Sequence, residues 1–230
     1  MTRHFIAIAG NVGVGKSTLT AYLAREMGWD PFYEGVADNP YLEDFYGDMA
    51  RWSFHSQVFF LSRRFRHHHA LSLSARTVVQ DRCVYEDAEI FARNLYLRGL
   101  MSERDFGCYQ GLYQAVRDLL PPPDLVVYLR ASVDTLLARI ARRGRGYEQG
   151  IERAYLEQLN ELYEAWARSF DLCPVLTVPC DRLDFVESEA DQRLIIDRVV
   201  ATLGGRQLPL FPGESALVEG RGLASRPDGA

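Results

Sequence analysis

The sequence has few cysteines. Only four occur in 230 residues, namely Cys83, Cys108, Cys173 and Cys180. No two of them form a CxxC pair, and none has the spacing to histidine that a zinc site needs. The pattern therefore argues against a zinc module and a disulfide scaffold. Four reduced thiols in a cytoplasmic protein are the simplest interpretation, because disulfides persist mainly in oxidising compartments.

The sequence also lacks an excess of positive charge and a long apolar run. Its 26 Lys and Arg residues are outnumbered by 31 Asp and Glu, which gives a net charge of −5. No overall basic field therefore favours a nucleic-acid partner. No stretch approaches the ~18 uninterrupted apolar residues of a membrane span. An apolar strand pattern begins at once and leaves no room for a signal peptide. We therefore expect a cytoplasmic protein with no nucleic-acid or membrane partner.

What the chain does have is short apolar runs that alternate with helix-length segments. Strands are predicted at residues 4–9, 30–34, 77–80, 125–129 and 175–178. Helical spacing covers residues 16–27, 40–46, 52–73, 84–98, 102–120, 132–142, 151–170 and 187–203. This alternation predicts an α/β fold, with a five-stranded parallel sheet covered on both faces. We expect a single domain over 1–203. Because 204–230 is rich in Gly and Pro and lacks periodicity, we expect it to be a flexible tail.

A phosphate-binding loop follows the first predicted strand and opens the first helix. Its residues match GxxxxGK[ST], and they are Gly10, Asn11, Val12, Gly13, Val14, Gly15, Lys16 and Ser17, with Thr18 next. Glycines let backbone N–H groups converge on a phosphate, and the helix N-terminus adds partial positive charge. Lys16 can reach the β- and γ-phosphates, while the Ser17 hydroxyl can bind Mg²⁺. The loop predicts a bound nucleoside triphosphate such as ATP, but it does not identify the acceptor.

Two further features narrow the class of enzyme. The guanine-reading motif NKxD of switch GTPases is absent, which favours a small-molecule kinase. Asp81 follows the apolar run TVVQ at the end of the third predicted strand. Ligands in parallel sheets bind beyond the carboxyl ends of the strands, so we predict that Asp81 and Ser17 hold Mg²⁺.

Several motifs beyond the loop can be compared with a known family. They are GNVGVGKST at 10–18, Glu34 after the second strand, NPYLEDFY at 39–46, Gln57, DRCVYEDAEIFARN at 81–94 and RRGRGYE at 142–148. With these motifs the sequence resembles the deoxynucleoside kinase family, from His4 to about Val200. The resemblance implies a P-loop kinase fold and the use of ATP with Mg²⁺.

The resemblance also implies catalytic roles. Glu34 matches the family's general base for the nucleoside 5′-hydroxyl. Arg82 matches an arginine that contacts the 5′-hydroxyl region and the transferring phosphate. Arg143 and Arg145 lie in a lid, at about 143–150, whose arginines would stabilise charge on the γ-phosphoryl group. The sequence departs from the family pattern twice, with Gly35 in place of proline and Cys83 in place of serine.

Further residues match positions that bind the two substrates. On the donor side, Arg139 lies one turn before the lid arginines, and Asp184 and Phe185 resemble a loop that holds the adenine of ATP. On the acceptor side, Tyr46 and Glu148 match the pair that holds the sugar 3′-hydroxyl. Gln57, Arg64 and Asp87 match residues that read the base.

We therefore expect an ATP-dependent kinase of deoxynucleosides in nucleotide salvage, and by family analogy a homodimer. Deoxyguanosine and deoxyadenosine are the favoured acceptors, and deoxycytidine is a further candidate. One alternative is a nucleoside monophosphate kinase such as thymidylate kinase, although Glu34 would repel the phosphate of such an acceptor. The other alternative is a regulatory protein that binds nucleotide without catalysis.

Overall fold

A five-stranded parallel sheet organises the chain in the computed structural model, which describes residues 2–33, 39–148 and 150–205. The strands are β1 (Phe5–Gly10), β2 (Asp30–Phe32), β3 (Val78–Asp81), β4 (Leu125–Arg130) and β5 (Val175–Pro179). Their order in the sheet is β2-β3-β1-β4-β5, and every adjacent pair is parallel. The predicted α/β fold with five parallel strands is confirmed.

Helices flank this sheet. They are α1 (Lys16–Met27), α2 (Leu42–Gly47), α3 (Met49–Ser72), α4 (Val84–Glu86), α5 (Arg93–Leu97), α6 (Glu103–Arg117), α7 (Val133–Arg143), α8 (Arg153–Ser169) and α9 (Glu189–Leu203). A π-helical turn, Asp87–Ala92, joins α4 to α5, and a 3₁₀ turn, Gly146–Glu148, lies between α7 and α8. None of the helices in the described part of the chain is both long enough and apolar enough to span a bilayer.

The centre of the sheet explains why the phosphate loop and the predicted metal carboxylate come together. All six residues of β1 are buried, as expected for a strand covered on both faces of a parallel sheet. Ile8 of β1 pairs with Asp81 on one side and with Val127 of β4 on the other. Because β1 and β3 are parallel neighbours, the loop that follows β1 begins beside Asp81.

The structure departs from the sequence prediction in two elements. The predicted strand at 30–34 ends at Phe32, where the pairing of β2 with β3 also ends. The predicted regular helix at 84–98 is interrupted by the π-helical turn Asp87–Ala92. A π turn accommodates one more residue than an α turn, and side-chain periodicity over so short a stretch does not reveal it.

Two predictions fall partly or wholly on residues that the structure does not describe. Glu34 and its neighbours 35–38 lie outside the described residues. All but the first two residues of the predicted tail, 206–230, also lie outside them. The predicted single domain over 1–203 with a C-terminal tail therefore stays a prediction.

Candidate active site

The phosphate loop needs glycine where its backbone closely approaches other groups, as at Gly10 and Gly15. Gly10 has a φ of 145°, and a Cβ atom there would lie 2.7 Å from the Leu129 carbonyl oxygen. Gly15 has a φ of 109°, and a Cβ atom there would lie 2.9 Å from the Phe185 ring. Residues with a side chain rarely adopt these angles. The loop can therefore keep this shape only with glycine at both positions.

Lys16 is held at the start of α1 by the loop itself. It is the only lysine in the sequence. Its Nζ atom donates hydrogen bonds to the carbonyl oxygens of Gly10 at 2.8 Å and Asn11 at 3.0 Å. The Asn11 amide donates in turn to the Leu156 carbonyl at 3.1 Å and the Asn160 side chain at 2.7 Å. Hydrogen bonds from Asn11 thus connect the phosphate loop to α8.

The side-chain oxygens of Ser17 and Asp81 lie next to each other beside the loop. The Ser17 hydroxyl donates to Oδ2 of Asp81 at 2.5 Å. The other carboxylate oxygen, Oδ1, is buried and has no hydrogen-bond partner within the described residues. Mg²⁺ prefers hard oxygen ligands, commonly one or two from the protein together with phosphate oxygens. The two side chains therefore fit the predicted magnesium site.

Arg82 occupies a strained position directly after Asp81. Its φ is 68°, and no other non-glycine residue in the described ranges has a positive φ. The residue is buried, and its backbone N–H donates to the Ile8 carbonyl at 2.9 Å. Its guanidinium carbon lies 4.1 Å from the centroid of the Phe91 ring, within the range of a cation–π contact. Strained backbone of this kind concentrates at functional sites.

A buried ion pair lies next to Asp81. The Arg64 guanidinium contacts both carboxylate oxygens of Asp87, with Nε 3.1 Å from Oδ2 and Nη2 3.3 Å from Oδ1. Each side chain is 4% exposed. Gln57, which lies two helical turns before Arg64 on α3, is also buried. Asp87 and Gln57 both line a cavity that also contains Lys16 of the phosphate loop, whereas Arg64 contacts Asp87 and does not line this cavity.

The predicted lid is organised around one acid. Glu148 is 4% exposed, and its Oε2 atom accepts hydrogen bonds from Arg143 at 2.6 Å and 3.1 Å. Its Oε1 atom lies 3.6 Å from Nη1 of Arg145. The helix before the lid, α7, ends at Arg143, because Gly144 adopts the left-handed conformation that caps it. The acid predicted for the sugar site thus also holds both predicted lid arginines.

Arg139 connects the phosphate loop with the loop that follows β5. Its guanidinium donates to the Val14 carbonyl at 2.6 Å and to the Cys180 carbonyl at 3.1 Å. It also lies 5.9 Å from the centroid of the Phe185 ring. A second cavity, of about 490 Å³, adjoins this arginine and is lined by Asp184. This is the side of the phosphate loop on which the sequence predicts the donor base.

A cavity of about 370 Å³ brings most of the predicted residues together. The predicted residues that line it are Val12, Gly13, Gly15, Lys16, Ser17, Thr18, Tyr46, Gln57, Asp81, Arg82, Asp87, Arg139, Arg143, Arg145, Glu148 and Phe185. Those described but not lining it are Gly10, Asn11, Val14, Arg64 and Asp184. Glu34, the predicted base, lies outside the described residues. The cavity therefore combines a phosphate loop with a pocket whose volume lies in the range of small-molecule sites, about 300 to 1,000 Å³.

Comparison with known proteins agrees with this arrangement. The family model described as deoxynucleoside kinase matches residues 6–203. The chain belongs to the deoxynucleoside kinase family. Among its relatives, deoxyadenosine/deoxycytidine kinase of Bacillus subtilis is 39% identical over 204 residues, which cover 88% of this chain and 94% of that protein. Deoxyguanosine kinase of Lactobacillus acidophilus is 37% identical over 206 residues, covering 86% and 90%.

A solved structure gives the same result. Deoxyadenosine kinase from M. mycoides, with the products dCMP and a flexible dCDP bound, matches with a TM-score of 0.76. The two chains are 32% identical, and the match covers 86% of this chain and 99% of the other. Membership of the deoxynucleoside kinase family confirms the predicted P-loop kinase fold and the predicted enzyme class, a phosphotransferase acting on deoxynucleosides. The roles of single residues stay predictions.

The structure adds residues that the sequence prediction of this deoxynucleoside kinase site missed. Phe91 and Tyr155 line the cavity, and burial raises the pKa of Tyr155 to about 12, so its hydroxyl keeps its proton near neutral pH. Arg142, to which the sequence analysis assigns no role, is exposed but also lines the cavity. The 3.6-residue periodicity of helices could have placed Tyr155 one turn before Leu159, on a buried face of α8.

Cys83, which departs from the family's serine, has a local structural role. It is the N-cap residue of α4, where its sulfur accepts the Glu86 N–H while the Glu86 carboxylate accepts the Cys83 N–H. Burial raises the pKa of the Cys83 thiol, so the sulfur stays protonated at neutral pH. Glu86 was not singled out from the sequence, because a glutamate on a helix is usually exposed.

Proposed function

We propose that this enzyme transfers the γ-phosphoryl group of ATP to the 5′-hydroxyl of deoxyadenosine or deoxyguanosine, with deoxycytidine as a further acceptor. The observation that supports this most strongly is the buried Arg64–Asp87 pair, whose Asp87 lines, together with Gln57, the cavity that the phosphate loop opens into. A base edge offers donors and acceptors that such groups can match. The names of the relatives, which include kinases of deoxyadenosine, deoxycytidine and deoxyguanosine, support the same acceptors.

On the donor side, the phosphate loop with Lys16 holds the triphosphate, and Arg139 with the Asp184–Phe185 loop holds the adenine. Ser17 and Asp81 hold Mg²⁺, which when bound neutralises charge on the phosphate oxygens. On the acceptor side, Tyr46 and Glu148 hold the 3′-hydroxyl of the sugar. All the side chains named here except that of Asp184 line one cavity, which supports the assignment.

The chemical step uses the remaining charged groups. Glu34 accepts the proton of the 5′-hydroxyl as that oxygen attacks the γ-phosphorus, while the bond from the γ-phosphorus to the bridging oxygen breaks and ADP leaves. Arg82, Arg143 and Arg145 stabilise the charge on the transferring group, and the lid excludes water that would compete with the sugar hydroxyl. The exposure of the Arg143 and Arg145 side chains, 35% and 44%, is compatible with a lid that moves.

Three predictions about the whole protein belong to this proposal. We propose a homodimer, a cytoplasmic location and a single kinase domain over residues 1–203. The oligomeric state can be measured by light scattering of the purified protein at several concentrations. A mass of one chain at all concentrations would contradict the proposed dimer.

A coupled kinase assay tests the acceptor. The assay uses ATP and Mg²⁺ with the four deoxynucleosides, their ribose counterparts and the deoxynucleoside monophosphates. We expect turnover with deoxyadenosine or deoxyguanosine and none with the monophosphates. Turnover restricted to the monophosphates would favour the nucleoside monophosphate kinase alternative instead.

The variant Glu34→Gln tests the catalytic step and separates it from nucleotide binding. It should lower kcat by about 1,000-fold or more, because positioned acid–base groups contribute roughly 100- to 10,000-fold. ATP binding can be followed by an acyl-phosphate analogue of ATP that acylates lysine, since Lys16 is the only lysine. Labelling of the Lys16 peptide should persist in the variant. The exposed-helix variant Glu26→Gln is the matched control. Unchanged turnover in Glu34→Gln would contradict the role of Glu34 as the base, whereas a wild-type protein that binds ATP but has no turnover would favour a regulatory nucleotide binder.

A further inference from the structure

Glu86 is fully buried beside the active site, although it does not line the cavity. Its Oε1 atom accepts hydrogen bonds from the Gly10 N–H at 3.2 Å and from the Tyr163 hydroxyl at 2.8 Å. Its Oε2 atom accepts the Cys83 N–H at 2.8 Å. All three partners are donors, so the ionised carboxylate satisfies them without a proton of its own.

These contacts connect Glu86 to both charged groups of the predicted transfer site. Gly10 donates its N–H to Glu86 and accepts the Lys16 ammonium at its carbonyl oxygen. Cys83 directly follows Arg82, whose backbone is held at a φ of 68°. Burial raises the pKa of the Glu86 carboxyl, and the positive charges of Arg82 and Lys16 act in the opposite direction. One carboxylate thus joins the backbone around the lysine to the backbone around the arginine.

We propose that Glu86 is a positioning residue for phosphoryl transfer, which fixes the phosphate loop relative to Arg82 and is itself held by Tyr163 from α8. The proposal rests on the kinase function proposed above. Such a group acts because a displacement of roughly 1 Å in the reacting geometry can lower the rate about 100-fold. Lys16 would be displaced relative to Arg82 if this carboxylate were lost.

Two variants test the role of this carboxylate. Glu86→Gln places two N–H donors at one of its oxygen positions, so that a donor faces a donor at Gly10 or at Cys83. We expect kcat to fall about 100-fold, while the KM for deoxyadenosine changes less than about threefold. Tyr163→Phe removes only one hydrogen bond to the carboxylate, and we expect kcat to fall about tenfold with the same small change in KM.

Tyr128→Phe is the matched control. The Tyr128 ring stacks on Tyr163 with centroids 5.7 Å apart, and its hydroxyl donates to Glu164 on the same helix at 3.2 Å. This variant loses the same chemical group beside the same helix, but the lost hydroxyl bonds to Glu164 and not to Glu86, so the hydrogen bond from Tyr163 to Glu86 is kept. Its kcat should stay within about twofold of wild type. Thermal melting of each variant identifies the temperature range in which all are folded, and kcat is measured there.

The outcomes separate a positioning role from a structural one. Loss of kcat in Tyr163→Phe, with Tyr128→Phe unaffected, supports the proposal even if Glu86→Gln does not fold. The proposal is overturned if Tyr163→Phe and every folded Glu86 variant keep a kcat within about twofold of wild type and differ only in melting temperature. An equal loss of kcat in the two tyrosine variants overturns it as well. An inactive wild-type enzyme would instead contradict the kinase function.

Discussion

At the scale of single residues, the buried ion pair Arg64–Asp87 should be costly to break, because removal of one partner leaves the other charge buried and uncompensated. Asp87→Ala leaves a guanidinium buried without its carboxylate, and we expect a loss of about 3 to 5 kcal/mol in the free energy of unfolding. The double variant Arg64→Met/Asp87→Ala removes both charges, so it should cost less than the sum of the single changes. Urea unfolding of the singles and the double measures this coupling.

The exposed pair Arg153–Asp134, whose side chains are 53% and 82% exposed, provides the control for this cycle. Its double variant Arg153→Met/Asp134→Ala should leave the free energy of unfolding nearly unchanged, since exposed ion pairs contribute little. A cost of the same small size for Asp87→Ala would contradict the argument from burial.

At the scale of elements, the sequence predicted most helices and strands to within a few residues, because their signals are local. Gly28 ends α1 in a left-handed conformation, and Ser132 caps α7, both as the residue types indicate. The π-helical turn Asp87–Ala92 was not predicted. Its residues Asp87 and Phe91 both line the cavity, but residues four apart share a face on a regular α-helix as well, so their pattern does not reveal the π turn.

The sequence predicted the phosphate loop of the site but not the buried carboxylate behind it. The phosphate loop follows from a motif whose chemistry requires those residues at that spacing, so Lys16 and Ser17 needed no structure. Glu86 could not be found in this way, because its partners Gly10 and Tyr163 are 76 and 77 residues away. Only the packing of β1, α4 and α8 against one another brings these groups together.

In the lid, Glu148 combines observed contacts to two arginines with a proposed contact to the substrate. Glu148 holds Arg143 and Arg145 and is proposed to bind the sugar 3′-hydroxyl. If it does, removal of that hydroxyl should cost the wild-type enzyme about 10- to 150-fold in kcat/KM, the effect of a hydrogen bond to a charged group. In the variant Glu148→Gln, the same change of substrate should lower kcat/KM by less than about threefold. The measurement compares deoxyadenosine with 2′,3′-dideoxyadenosine.

Glu152→Gln is the control for the lid experiment. Glu152 immediately precedes α8, is largely exposed and contacts Arg98 rather than the cavity. This variant should discriminate between the two nucleosides as strongly as wild type does. If Glu148→Gln also keeps the full discrimination, Glu148 does not contact the 3′-hydroxyl, and its role is confined to the two arginines.

At the scale of the whole molecule, His68 joins three distant parts of the chain. It lies on α3 and is fully buried. Its ring packs edge-on against Phe5 of β1, with centroids 4.7 Å apart, and its Nε2 atom donates to the Pro121 carbonyl at 2.8 Å. The other ring nitrogen, Nδ1, is buried without a partner among the described residues. Burial therefore lowers the pKa of His68, because a proton on Nδ1 would be a buried charge.

The stability of the protein should consequently decrease in mildly acidic solution. A histidine whose pKa is lowered on folding takes up its proton in the unfolded state first, at a pKa near 6.5. Stability is then complete above about pH 6.5 and is lost as the pH falls towards the folded-state value. His67 contributes in the same direction, because partial burial and Arg63 lower its pKa as well.

The measurement is urea unfolding at several values between about pH 7.5 and pH 5.5, a range in which most carboxylates stay ionised. Wild type should lose stability across this range. At about pH 7.5 the double variant His67→Gln/His68→Gln should be less stable than wild type, since the His68 ring no longer packs on Phe5. Its free energy of unfolding should then change little as the pH falls. A wild-type stability that rises as the pH falls, or a slope that persists unchanged in the double variant, would show that these histidines do not control the acid sensitivity of the fold.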